Sequence, residues 1–203
     1  MRSLFRFNCI KRIQTDFTSR LTLGETADAG VIQKKRGGRN MQDIRDLLEG
    51  LKRTPGILSA FVKSIPESRM DLRRGEGFWT IAEHVSHLAQ VQPMLLDRFQ
   101  RFMNEDHPEF VPYIPGDGKD EPDTPPRLDM TAALEQFMHY RNKAVVLLEG
   151  ADDITWQKRG THPEYEDYSL YILVRHLLMH DYWHMYRMEE LWLTRDAYLT
   201  KLE

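Results

Sequence analysis

Residues 169–191 read SLYILVRHLLMHDYWHMYRMEEL, and the spacing within this stretch settles the class of the chain. Apolar residues recur every three or four positions, the period of an α-helix, and the helix is expected to start near Ser169. His180 and His184 are four apart, so both imidazoles lie on one helix face, a turn from each other. On a wheel of 100° per residue with His180 at zero, His184 falls at about +40°, His176 at about −40°, Leu173 and Leu191 near +20° and Leu177 at about +60°. The histidines therefore share a stripe with three leucines, and such a stripe packs against other helices.

The rest of the chain supplies those helices. Ile44, Leu47, Leu48, Leu51, Ile57, Leu58, Phe61 and Val62 keep helical spacing from residue 42 to 65. Thr54-Pro55 interrupts the run and predicts either two short helices or one kinked helix. A second helix is expected from Trp79 or Thr80 to Met103, through Ile81, Val85, Leu88, Val91, Leu95, Phe99 and Phe102, with a bend at Pro93. Residues 107–127 hold Pro108, Pro112, Pro115, Pro122, Pro125 and Pro126, six of the ten prolines, and predict a long crossover outside the bundle. A third helix follows, capped by Asp129 or Thr131, carrying Phe137, Tyr140, Val145 and Leu148, and closed by Gly150. A connection with Trp156 and Pro163 leads to the histidine helix, and a short terminal helix is expected near 195–199. No strand-like alternation is long enough to assign. The expected fold is all-α: a four-helix bundle with a long proline-rich crossover between helices 2 and 3.

Composition narrows the function. With 203 residues, 41% apolar and 29% charged, the chain suits one soluble domain, and no run approaches the roughly 18 apolar residues of a membrane span. The single cysteine, Cys9, excludes an intrachain disulfide and fits a reducing, cytoplasmic setting. Residues 1–40 carry nine basic and three acidic side chains, which leaves the remainder at net −9. An acidic body argues against nucleic acid as a partner. The first forty residues, ending in Lys34-Lys35-Arg36-Gly37-Gly38-Arg39, are expected to be a disordered or non-native extension upstream of a start at Met41. A transit-type presequence and a nucleic-acid-binding arm are the alternatives. The folded domain is expected over 41–203.

Chemistry centres on histidine. His87, on the second helix, can also face inward, and three imidazoles with an open position make a catalytic rather than a structural metal site. A buried histidine that only hydrogen-bonds a carbonyl or carboxylate is the competing explanation for each ring. Packing such rings together without partners, however, costs about 1–3 kcal/mol per unsatisfied group. Glu83, one turn before His87, could orient a ligand or act as a base on metal-held water, and a capping role fits it equally. His176 fits packing better than the site, Asp181 fits a surface ion pair, and Arg187 fits either a substrate anion or an acid on a neighbouring helix. His84, His107, His139 and His162 have no partner at ligand spacing. Trp79, Trp156, Trp183 and Trp192 read as packing anchors. Phosphate-binding loops, dinucleotide fingerprints, serine elbows and zinc-finger spacings are absent from the sequence.

Three segments in order carry a resemblance: Arg53-Thr54-Pro55-Gly56-Ile57-Leu58, then Phe78-Trp79-Thr80-Ile81-Ala82-Glu83-His84-Val85-Ser86-His87-Leu88, then His176-Leu177-Leu178-Met179-His180-Asp181-Tyr182-Trp183-His184. Over residues 41–192 the chain resembles the DinB-like family, four-helix bundles grouped with metal-dependent hydrolases and thiol S-transferases. That resemblance implies His87, His180 and His184 as ligands of a divalent metal, Zn²⁺ or Ni²⁺. It departs from the family after the last ligand, where Met185-Tyr186-Arg187-Met188 replaces a His-Arg-Gly-Gln type run. The implied function is a metal-dependent enzyme that either generates hydroxide for hydrolysis or presents a thiolate, with a small-molecule substrate or a low-molecular-weight thiol as partner. The competing reading is a non-catalytic bundle, metal-clamped or stress-associated, working as a homodimer. Residues 107–127 and 156–168 are expected to wall the cavity.

Overall fold

The computed structural model describes residues 29–112 and 126–199. Its first helix, α1 (Ala29–Ser64), runs unbroken through Pro55. Proline offers no N–H to the carbonyl of Leu51, and the neighbouring Thr54 hydroxyl donates to that oxygen instead, at 2.8 Å. Thr54 thus repairs the ladder rather than capping a second helix. The helix begins at Ala29, before Met41. Lysine, arginine and glutamine propagate a helix readily, and Gly37 and Gly38 cost only about 1 kcal/mol each. The part of the expected extension over 1–28 lies outside the described residues, as do 113–125 of the crossover.

The second rod is two helices, α2 (Ile81–Gln90) and α3 (Gln92–Asn104), joined at Val91. Pro93 leaves the Ala89 carbonyl without its helical donor, and the Gln136 side chain supplies one at 3.1 Å. Gln92 Nε2 likewise donates to the Leu88 carbonyl at 3.0 Å. Next, α4 (Met130–Glu149) starts at Asp129, whose carboxylate accepts from Ala132 N, and ends at Gly150. Finally α6 (Leu170–Leu193) starts at Ser169, whose hydroxyl accepts from Ile172 N. A 3₁₀ turn, Asp196–Tyr198, stands where the short terminal helix was expected.

The connection before α6 is more ordered than its sequence suggests. It holds α5 (Asp153–Gln157) and an antiparallel hairpin of β1 (Arg159–His162) and β2 (Tyr165–Ser169), with an irregularity between Gly160 and His162. Strands this short show too little alternation to be read as such. The first part of the crossover docks here: Thr161 N donates to the Pro108 carbonyl at 2.9 Å and Phe110 N to the Thr161 carbonyl at 2.8 Å. Gly160 permits this approach, because a Cβ there would sit 2.6 Å from the Pro108 oxygen.

Strong contacts run α1 to α4, α4 to α2 and α3, α2 to α6, and α6 back to α1. The first and second rods therefore lie across from one another, as do the third and fourth, while the second and third pack side by side. The core is split in two. One half gathers Leu51, Leu95, Phe99, Phe102, Leu148 and Leu173; the other gathers Leu58, Val62, Ile81, Leu88, Phe137 and Leu191. Between them each rod contributes one fully buried polar residue: Thr54, Gln92, Arg141 and Asp181. Arg141 Nη1 donates to Asp181 Oδ2 at 2.6 Å and to Thr54 Oγ1 at 2.8 Å, and Nη2 donates to Gln92 Oε1 at 3.2 Å. Two expectations are corrected here. Asp181 pairs in the interior rather than at the surface, and Arg141 takes the inner slot that Tyr140 was expected to fill.

Candidate metal centre

Beside the polar layer, α2 and α6 present two histidines each to the other. His87 and His184 are buried and His180 is partly exposed. His180 Nε2 lies 3.2 Å from His87 Nε2 and 3.1 Å from His184 Nε2. One donor atom from each of the three falls within 4.8 Å of the others. The three residues expected as ligands from distant parts of the chain do converge.

The donor set fits a transition metal. Tetrahedral bonds of about 2.0–2.1 Å to imidazole place neighbouring nitrogens about 3.3 Å apart, close to the spacings here. A metal also needs bare nitrogens, and this environment keeps the rings neutral. Burial holds the His87 imidazole down at about 4 and pushes His180 and His184 well below the usual 6.5, with the neighbouring histidines adding to the last two shifts. Arg141 lowers His180 further.

Trp79 covers the cluster. Its ring centre is 5.1 Å from that of His87, 5.4 Å from His84 and 6.0 Å from His184, nearly parallel to the last. His84, to which the sequence reading gave no partner, is buried with Nδ1 2.8 Å from His184 Nδ1. Its signal was present as His84-Val-Ser-His87 spacing on one helix, but its partner lies a hundred residues away.

The other candidates have partners of their own. Glu83 closes a capping box: its N–H donates to Thr80 Oγ1 at 3.2 Å, and Thr80 N donates to Glu83 Oε2 at 2.6 Å. Its other oxygen pairs with Arg73. The carboxylate thus serves the start of α2. Arg187 is buried and pairs with Glu190 on its own helix. His176 packs against Tyr165 of the hairpin, ring centres 5.1 Å apart, one turn short of the centre. His107 reaches Thr161 and His162 sits among Tyr165 and Tyr168, all at the hairpin end.

Acid should unfold the metal-free protein through these rings. Burial keeps His84 at about 3, and His87 and His176 at about 4, whereas the unfolded chain titrates near 6.5. Protons then bind the unfolded state preferentially, so the contribution is intact above pH 6.5 and is lost as pH falls through about 4. Each ring contributes a slope of up to about 1.4 kcal/mol per pH unit in that window. Urea midpoints measured from pH 7.5 to 4.5 should decline steeply below 6.5; a flat profile would contradict buried neutral imidazoles.

Comparison with known proteins agrees with this geometry. A protein of Bacillus mycoides (strain KBAB4), named "putative metal-dependent hydrolase", is 25% identical over 145 residues, covering 71% of this chain and 79% of its own. YfiT from Bacillus subtilis, described as "a probable metal-dependent hydrolase with an unusual four-helix bundle topology", superposes with a TM-score of 0.64 over 84% of this chain and 91% of its own, at 20% identity. At that identity the likeness establishes the four-helix-bundle fold. The DinB superfamily profile matches residues 50–195, from the middle of α1 to just past α6 and across every histidine of the cluster. The chain belongs to the DinB superfamily.

Proposed function

We propose that His87, His180 and His184 hold a divalent transition metal, Zn²⁺ or Ni²⁺, in a metal-dependent enzyme acting on a small molecule. The convergence of three neutral imidazoles, with the Nε2 atoms of His87 and His184 at 3.2 and 3.1 Å from that of His180, carries the reading. These three uncharged imidazoles would hold the cation without neutralising its charge, and it would supply Lewis-acid chemistry towards a water or a thiol. That chemistry serves hydrolysis, the class named for the Bacillus mycoides relative, and it serves transfer of a low-molecular-weight thiol equally well. His87 and His184 lie deep and Trp79 covers them, so water reaches the centre from the partly exposed His180 side. Glu83 bears on the site by fixing the start of α2. No described helix is long and apolar enough to cross a membrane. The single cysteine supports a reducing, cytoplasmic setting for the enzyme.

The test is a panel of esters, amides and thiol-plus-electrophile pairs, assayed with metal-loaded wild type and His184→Ala. Turnover in wild type that falls at least 100-fold in the variant supports the enzyme and identifies its reaction. Full metal loading with no turnover on any substrate favours the non-catalytic clamp between α2 and α6.

A further inference from the structure

The two helices face each other with two histidines apiece, in antiparallel order: His87 meets His180, and His84 meets His184. Only the first pair joins through the nitrogens that point at the centre. The second joins through Nδ1 atoms on the far side of His184 from it, 2.8 Å apart. A contact this short between two nitrogens is a hydrogen bond with a single proton in it, and its owner fixes the tautomer of both rings.

We infer that His84 is a positioning residue that accepts the Nδ1 proton of His184 and so keeps His184 Nε2 bare towards His87 and His180. The opposite assignment is incompatible with a metal held at this centre. If His84 donated, His184 would carry its own proton on Nε2, aimed at His180 Nε2 only 3.1 Å away, and that lone pair would be unavailable to a cation. As acceptor, His84 keeps its own proton on Nε2, and both rings stay neutral.

The surroundings hold His84 for this task. It is 4% exposed, flanked by Trp79 at 5.4 Å and by Trp183 edge-on at 6.2 Å. Its own N–H donates to the Thr80 carbonyl at 3.1 Å, in the turn that the Thr80–Glu83 capping box and Arg73 fix. The helix cap thus sets the position of the ring that orients a ligand. Metal-bound histidines commonly donate their second N–H to an outer partner, and loss of that partner weakens metal binding by about 10–100-fold. An imidazole in this position, in place of a carboxylate or carbonyl, adds no charge to the buried site.

The inference rests on the metal reading, and the experiment separates the two. Full-length wild type, His84→Phe and His84→Asn are stripped with chelator. Long-range ¹H–¹⁵N spectra then report the His184 tautomer without metal, and competition with a chromophoric chelator reports Zn²⁺ affinity. Phenylalanine keeps the aromatic packing without an acceptor; asparagine returns an oxygen close to the place of Nδ1. The expected results are an Nδ1–H tautomer of His184 in wild type, Zn²⁺ binding about 10–100-fold weaker in His84→Phe, and recovery to within several-fold of wild type in His84→Asn. An Nε2–H tautomer in wild type overturns the inference. So does equal weakening in both variants, or unchanged affinity in His84→Phe. Wild type that binds no Zn²⁺ defeats the metal reading instead, and the metal-free tautomer then still decides whether His84 is the acceptor.

Discussion

Arg141→Ala is expected to destabilise the bundle by about 3–5 kcal/mol, as removal of one partner of a buried ion pair does. Arg141 and Asp181 are fully buried, with side-chain exposures of 0% and 1%. The substitution leaves the Asp181 carboxylate without its cation and removes the donors to Thr54 Oγ1 and Gln92 Oε1. It also removes the guanidinium from over the Phe137 ring, 4.7 Å away. All four rods meet at this layer, so the loss is global rather than confined to one helix. Urea denaturation should show a lower midpoint at similar slope. The double variant Arg141→Met/Asp181→Leu, which removes both charges and keeps apolar volume, should recover much of the loss. A cost below about 1 kcal/mol for Arg141→Ala would mean that this layer does not tie the rods together.

His180→Ala should abolish the response to metal while leaving the metal-free fold nearly intact. His180 is the middle ligand, with its Nε2 close to both others, and its ring is partly exposed, so its removal leaves little cavity. Outer-shell partners alone are worth about 10–100-fold in metal affinity, so loss of a direct ligand should exceed 100-fold. For wild type, metal at about 1,000 times its dissociation constant adds about 4 kcal/mol. In a domain of this size that raises Tm by on the order of 10 °C. Differential scanning with and without Zn²⁺ should show this rise in wild type and none in His180→Ala. Equal rises in both would place the metal elsewhere.

The rods could be read from sequence because each carries a three-four apolar period. Asp129 caps as expected, and Thr80 and Ser169, near which helices were expected to start, cap theirs. The ligands could be read because two of them sit one turn apart on a single helix. What escaped was long-range or exceptional. The polar layer obeys the same inner spacing, Leu51-Thr54-Leu58, Leu88-Gln92-Leu95, Phe137-Arg141-Ala144 and Leu177-Asp181-Met185, but a pattern search that expects apolar inner positions passes over it. An arginine at an inner position needs an acid on another helix, and sequence alone does not say which. His84 escaped for a similar reason: it has no partner at ligand spacing, and only the packing of α2 on α6 brings it to His184. The hairpin was missed because its strands are four and five residues long and are held by the crossover rather than by their own alternation.

X-ray absorption at the metal edge of the loaded, full-length protein addresses the ligand set itself. One metal per chain, with three imidazole nitrogens at about 2.0–2.1 Å and a further light-atom scatterer, is the predicted spectrum. A first shell with fewer than three imidazoles, or no stoichiometric metal at all, would contradict a centre built from His87, His180 and His184.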